Sequence, residues 1–288
     1  MSFVPLAGSE AGVEPREQTN LFATPEAPRL RIRTPSGQVS IETDETTETT
    51  VELEPLRSDD VTRTAIAQAT VELRGNEVVV EVAKQGWGFL GRSPEVAIRI
   101  RCPYGSALDC TTASADVEAV GRLGETSIKT ASGDIELPHV GGSLMVHSAS
   151  GDVRVELIDG EAQVKTVSGD TRIGVARSGL SVNLVSGDFE IDEAGTDLSA
   201  NTVSGDQHVR SIYEGEIKLQ SVSGDIQVGV APGTRVFIDA SSTSGEVQSA
   251  LDVTDAPPSP GAGSEAKLRL KSVSGDISIG RGRPAEVA

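Results

Sequence analysis

The chain reads as an all-β protein: a single-stranded β-solenoid of about nine 18-residue coils behind an irregular N-terminal β cap. Three observations predict this. Ser114, Ser132, Ser150, Ser168, Ser186 and Ser204 recur every 18 residues, and the series continues at Ser223, Ser244 and Ser274. Each Ser opens Ser-Gly-Asp, apart from Ala115 in place of the first Gly and Glu246 in place of one Asp. Apolar and polar residues alternate on both sides of that tripeptide, the period of a strand with one buried face. A short fixed period means one unit stacked on itself, because a lone unit cannot bury its own apolar side.

The elements follow in order. Residues 1–28 are polar, carry Pro5, Pro15, Pro25 and Pro28, and are expected to form a loose arm. Residues 29–104 hold alternating segments out of the 18-residue register, among them Leu30–Arg33, Gln38–Ile41, Thr50–Leu53, Thr70–Leu73 and Val96–Ile100. Gly75-Asn76 is placed to turn a hairpin. Ser36-Gly37-Gln38 echoes the repeat, so this region is a β cap or a degenerate start of the solenoid, covering its open edge. Residues 105–282 are the regular array. In each unit one strand ends at Ser-Gly-Asp and the next begins there; Leu144, Val146, Val153 and Val155 are expected to be buried together. Cys110 falls in the column of Ile128 and Val146 and reads as a small buried residue. The spacing stretches to 19, 21 and then 30 residues, and the Pro/Gly-rich stretch 251–265 is expected to bulge out as a loop. Residues 283–288 are a tail.

The motif has a structural reason to recur. Gly supplies a positive φ without a Cβ clash, and Asp can bond nearby amides and cap its own turn. Stacked coils also bring Asp134, Asp152, Asp170, Asp188 and Asp206 into one line, spaced by roughly 5 Å. Carboxylates that close repel unless they are bonded, screened or bridged, and Ca²⁺ is the candidate bridging ion. Against it, calcium β-rolls repeat every nine residues with two glycines before the Asp. No other cofactor is expected. Trp87, Phe89 and Leu90 lie between glycines in Gln85–Gly91 and read either as a docking loop or as a plug over the first coil.

Charge and composition exclude several classes. Net charge is −18, which disfavours nucleic acid and anionic membranes as partners. No stretch is long and apolar enough to be a transmembrane helix. Met1–Arg16 lacks the layout of a secretory signal, so the cytoplasm is the expected location, with the cell surface by an unseen route as the alternative. His139, His147 and His208 sit at three different repeat offsets, so no Ser is paired with a base at a constant position, and enzymatic activity is not expected.

The serial Ser-Ala-Ser-Gly-Asp and Ser-Val-Ser-Gly-Asp turns (148–152, 221–225), the Arg31–Ile41 segment and the Arg101–Ser106 lead-in carry a resemblance over residues 29–282. The chain resembles the bacterial β-repeat family labelled "putative adhesin", domain of unknown function 4097. The resemblance implies a β-solenoid with no established enzymatic activity. The expected function is a non-catalytic acidic scaffold or protein-interaction platform. The alternatives are a surface adhesin or polysaccharide binder, and, more remotely, a carbohydrate-active solenoid enzyme.

Overall fold

The structure is a computed structural model, and it describes residues 18–83, 93–251 and 264–282. The N-terminal part comprises β1 (Gln18–Ala23), β2 (Arg29–Asp44), β3 (Glu48–Pro55), the helix α1 (Asp60–Ala67), β4 (Thr70–Arg74), β5 (Glu77–Glu81) and β6 (Val96–Pro103). β7 (Ala107–Val120) and β8 (Arg122–Leu123) lead into the array. There each coil contributes one strand on either side of the turn. These pairs are β9 (Thr126–Ser132) and β10 (Ile135–Val140), β11 (Leu144–Ser150) and β12 (Val153–Ile158), and β13 (Ala162–Ser168) and β14 (Thr171–Ala176). They continue as β15 (Leu180–Ser186) and β16 (Phe189–Ala194), β17 (Leu198–Ser204) and β18 (Gln207–Ile212), and β19 (Gly215–Ser223) and β20 (Ile226–Val230). The last are β21 (Arg235–Ser242) with β22 (Val247–Ser249), and β23 (Glu265–Ser274) with β24 (Ile277–Arg281).

The stacking in the array is parallel, and in register apart from a shift between Val209 and Ile212 of β18 against β20. β11 sets Leu144, Val146, Ser148 and Ser150 beside Ala162, Val164, Thr166 and Ser168 of β13, and β12 sets Val153 and Val155 beside Thr171 and Ile173 of β14. Like therefore stacks on like, and Leu144, Val146, Val153 and Val155 are all buried as expected. The aliphatic columns form one continuous core from the cap to the last coil. Gln207 enters an otherwise apolar column; its Nε2 donates to Thr202 Oγ1 (2.9 Å) and to the Gln220 carbonyl (2.7 Å), which offsets much of its desolvation. Cys102 and Cys110 are buried free thiols, pushed up to about 11 and about 12 by desolvation.

The N-terminal end differs from the sequence reading at residues 18–23 and at a helix that follows β3. Residues 18–23 are not part of a loose arm but form β1, antiparallel to β3. Residues 29–44 are already a coil: β2 runs beside β7 with Ser36 opposite Ser114 and Asp116 opposite Gln38. A short helix, α1, follows Asp59, whose Oδ1 accepts from the Thr62 amide (2.7 Å), and it buries Ala65 and Ile66. The array thus begins near 29. It is closed by antiparallel strands: β3 on β6, β1 on β3, and β4 on β5 through the Gly75-Asn76 hairpin. Antiparallel strands cannot continue a parallel coil, so they end it.

The C-terminal end departs from sequence order. β23 lies between β19 and β21, and β24 lies between β20 and β22. The coil of Ser244 is therefore outermost, although the coil of Ser274 comes later in the chain. Residues 252–263, most of the expected loop, lie outside the described residues, as does the tail.

Glycine at the turn answers to two demands, seen at Gly187. Its φ is +126°, and a Cβ there would stand 2.2 Å from the Gly169 carbonyl oxygen of the coil below. Gly179 meets neither demand, since nothing lies within 4 Å of an added Cβ. Gly187→Ala should lower unfolding free energy by about 2–4 kcal/mol, while Gly179→Ala should stay within about 0.5 kcal/mol of the parent. Denaturant unfolding of both variants checks the pair, and equal stabilities would show that the turns are not in contact.

Candidate functional site

The Asp column is assembled by backbone register and held by its own carboxylates. The amide of Asp134 donates to Asp116 Oδ1, Asp152 to Asp134, Asp170 to Asp152, Asp188 to Asp170 and Asp206 to Asp188, all at 2.8–3.0 Å. The chain of bonds runs on through Asp225 and Asp276 to the amide of Glu246, again at 2.8–2.9 Å. Each Asp main-chain carbonyl accepts in turn from the coil before it, as when Ile135 donates to Asp152 (2.9 Å). The Asp residues therefore do not cap their own turns, as the sequence suggested. Each caps the turn of the next coil. Asp134, Asp152, Asp170, Asp188 and Asp206 do share one line, with Oδ1 of each committed to an amide. Among the described residues no group of three or more His, Cys, Asp or Glu is arranged to hold a metal ion. Trp87, Phe89 and Leu90 lie outside the described residues.

The residue before each Ser points outward, and sequence reasoning passed over it. Val167, Val185, Val203, Val222 and Val273 occupy this column in five adjacent coils, each 46–54% exposed. They form a ridge roughly 20 Å long at the usual strand spacing. The signal was present in the sequence: an apolar residue recurs where the alternation calls for a polar one. Two residues earlier the outward column holds Lys129, His147, Lys165, Asn183, Asn201 and Gln220, with no carboxylate, and Asn201 Nδ2 donates to Asn183 Oδ1 (3.1 Å). The valine ridge therefore lies between an acidic ladder and a neutral-to-basic one.

A groove of about 590 Å³ crosses the starts of the same strands, between Glu125 and Lys218. Its adjacent carboxylates are Asp197 and Glu216. Asp197 Oδ1 accepts from the Glu216 amide (2.8 Å), while Lys218 (2.8 Å) and Arg269 (2.9 Å) pair with Glu216. The Lys218 hydrogen bond, with both cations' charge, holds the Glu216 carboxyl below its ordinary value. Glycoside cleavage needs one carboxyl kept protonated, and Glu216 is shifted the other way.

Asp159 is the hub of a separate cluster. Its Oδ2 bonds His139 Nε2 (2.8 Å) and lies 3.5 Å from Arg122, and its Oδ1 accepts from Arg177 (2.8 Å). The His139 hydrogen bond, followed by the charges of His139 and Arg177, lowers the Asp159 carboxyl from its usual value. The cluster ties together side chains from several neighbouring coils.

A family model described as Toastrack DUF4097 matches residues 24–194 and, overlapping, 161–280. Among solved structures, the chain is similar to an adhesin (so titled, as "putative") from Bacteroides fragilis NCTC 9343, at 16% identity and TM-score 0.43, covering 93% of this chain and 100% of that one. It is similar at 10% identity and TM-score 0.43 to another so titled from Parabacteroides distasonis ATCC 8503, covering 92% and 98%. A protein from the same organism titled as lipid binding gives 15% identity and TM-score 0.43 over 93% and 97%. No curated protein matches.

If the Asp carboxylate works as an acceptor for the next coil, its charge is dispensable and its oxygen is not. Asp170→Ala should cost about 1 kcal/mol and Asp170→Asn less than about half of that, since Asn keeps the acceptor and removes like-charge repulsion. Glu246→Ala, with no coil beyond it, should match the parent. Equal losses in all three variants would refute the account. The Asp159 cluster gives a pH signature. A carboxyl with a lowered folded pKa contributes stability that is present above its unfolded value near 3.8 and is lost as pH falls through the folded value. The gap in melting temperature between the parent and Asp159→Asn should therefore be open at pH 6 and close below pH 3.8; a gap independent of pH would exclude the ionic role.

Proposed function

The chain belongs to the Toastrack DUF4097 family, and from that premise we propose that it is a non-catalytic solenoid that presents a repeating face to a protein partner. The single observation that carries the reading is the valine ridge. Five half-exposed valines in line are a contiguous apolar strip on a protein of net charge −18. About half of each side chain stays open to solvent, and exposed apolar patches mark interaction sites. The ladders on either side supply directionality: a partner segment with an apolar face and basic flanking residues would meet the valines with its cations toward the Asp column. The turn carboxylates are occupied in holding the coils, and Glu216, one of four carboxyls lining the groove, is shifted away from the role of an acid. Both support a binding rather than a catalytic reading.

The acidic scaffold reading and the adhesin reading share this face and differ in where the partner resides, which fractionation of the native cell distinguishes. Val185→Glu with Val203→Glu should leave the melting temperature within a few degrees, because both side chains are solvated, and should abolish capture of the partner. Crosslinking from native extract with the parent and the double variant as paired baits provides the check. Identical capture by both would reject the ridge as the binding face.

A further inference from the structure

The two ends of the solenoid are finished differently. At the N-terminal end antiparallel strands and α1 cover the first coils. At the other end β21 pairs with β23 along an unbroken register from Arg235 to Ser242, and among the described residues no strand lies on its far side. The core column of Leu198, Ile217 and Leu268 is fully buried until it reaches Ile238, which is 41% exposed. Val247, which stacks on Ile277, is likewise 45% exposed. The eight-residue edge has no Pro, Lys or bulge, and its charged residues, Arg235 and Asp239, are one of each sign.

We propose that β21 pairs with β21 of a second copy, antiparallel about a two-fold axis at Phe237, so that two solenoids join tail to tail. Three observations select this occupant and register. The Arg235 amide donates inward to Ser264, so by alternation the backbone groups of Val236 and Ile238 face the open edge. Centring on Phe237 makes Val236 and the partner's Ile238 the hydrogen-bonded pair, and core side chains meet core side chains. The same register places Arg235 opposite the partner's Asp239 and Asp239 opposite the partner's Arg235, flanking a Phe237–Phe237 contact. The strand Arg-Val-Phe-Ile-Asp is its own complement in charge. Moving the centre by one residue either way instead sets Arg235 or Asp239 against an uncharged residue.

The Asp ladder argues separately against head-to-tail stacking. A further parallel coil would need an acceptor for its turn amide at position 246, where the chain has Glu246. Its longer carboxylate is bonded within its own coil, Oε2 accepting from Gln248 (3.0 Å). A single strand edge is a small interface, so dissociation on the order of micromolar is expected.

Sedimentation of the full chain across a wide concentration range should show a monomer–dimer equilibrium. Asp239→Lys alone, and Arg235→Glu alone, should each weaken it at least about tenfold by setting like charges opposite each other. An equimolar mixture of the two should restore a heterodimer, because both cross-strand pairs are again opposite in sign. This rescue cannot arise from a defect within either copy. Phe237→Cys, which puts two thiols at the axis, should form an interchain disulfide on mild oxidation, while Ser241→Cys should not; this readout decides the matter if a charge variant fails to fold. A parent that stays monomeric at every concentration, as it would if residues 252–263 of the same chain covered the edge, would overturn the proposal. So would a dimer unaffected by both single variants.

Discussion

At every Ser-Gly-Asp turn two coils are joined twice, once by a carboxylate accepting the next turn's amide and once by a turn carbonyl accepting an amide of the coil before. Both bonds depend on how closely the turns approach. A Cβ at Gly187 would sit 2.2 Å from the carbonyl beneath it, so only glycine lets an Asp, one methylene long, reach the amide above. This fixes the period. Where the spacing grows from 18 to 19 residues, the extra residue is absorbed away from the turn, between Ile212, still paired with Ala194, and Ile217, paired with Leu198. The turn bond itself, Asp225 to Asp206 at 2.8 Å, is unchanged.

The same constraint shapes the surface. When every coil repeats one register, a residue choice at one position becomes a ladder along the whole rod. A line of carboxylates would be costly if each were only solvated, but each accepts an N–H from the next coil, and that bond offsets part of the repulsion between neighbours. The valine column is the apolar counterpart on the outward face. Its residues keep about half their surface open to solvent, where the inward columns are closed.

Most of the array was legible because its two periods are simple. Strand parity is two and the coil repeat is a whole number, so Leu144, Val146, Val153 and Val155 could be assigned to the core from spacing alone. What escaped depends on contacts that spacing does not encode. β1 lies in a polar, proline-flanked stretch and is a strand only because β3 lies beside it. α1 is a two-turn helix whose apolar residues, Ala65 and Ile66, have meaning only against the cap. The Asp column was legible as a line, but the identity of the amide each carboxylate serves was not, because the choice between its own turn and the next is made by coil-to-coil distance. The valine ridge was written in the Ser-Val-Ser-Gly-Asp motif itself, and was missed because attention to buried columns leaves outward ones unread.

The two departures from the motif acquire a reason once the coils are placed in space. Ala115 lies in β7, which, like β2 beside it, runs through the motif without breaking into two strands. Among the described residues no non-glycine has positive φ, and Ala115 is no exception, so the left-handed backbone found at Gly37 and Gly151 is absent at this position. Glu246 lies in the outermost described coil, where its amide donates to Asp276 but, among the described residues, no further coil offers an amide in return. In sequence order Glu246 looks like a defect inside the array, one repeat before its end. In space it is the last rung, the one position where the carboxylate is released from stacking and a different side chain carries no penalty. Selection for the turn bond thus acts at each coil that has a successor and lapses at the one that has none, which makes a lapse in the motif a marker of a solenoid's end even when the chain continues past it.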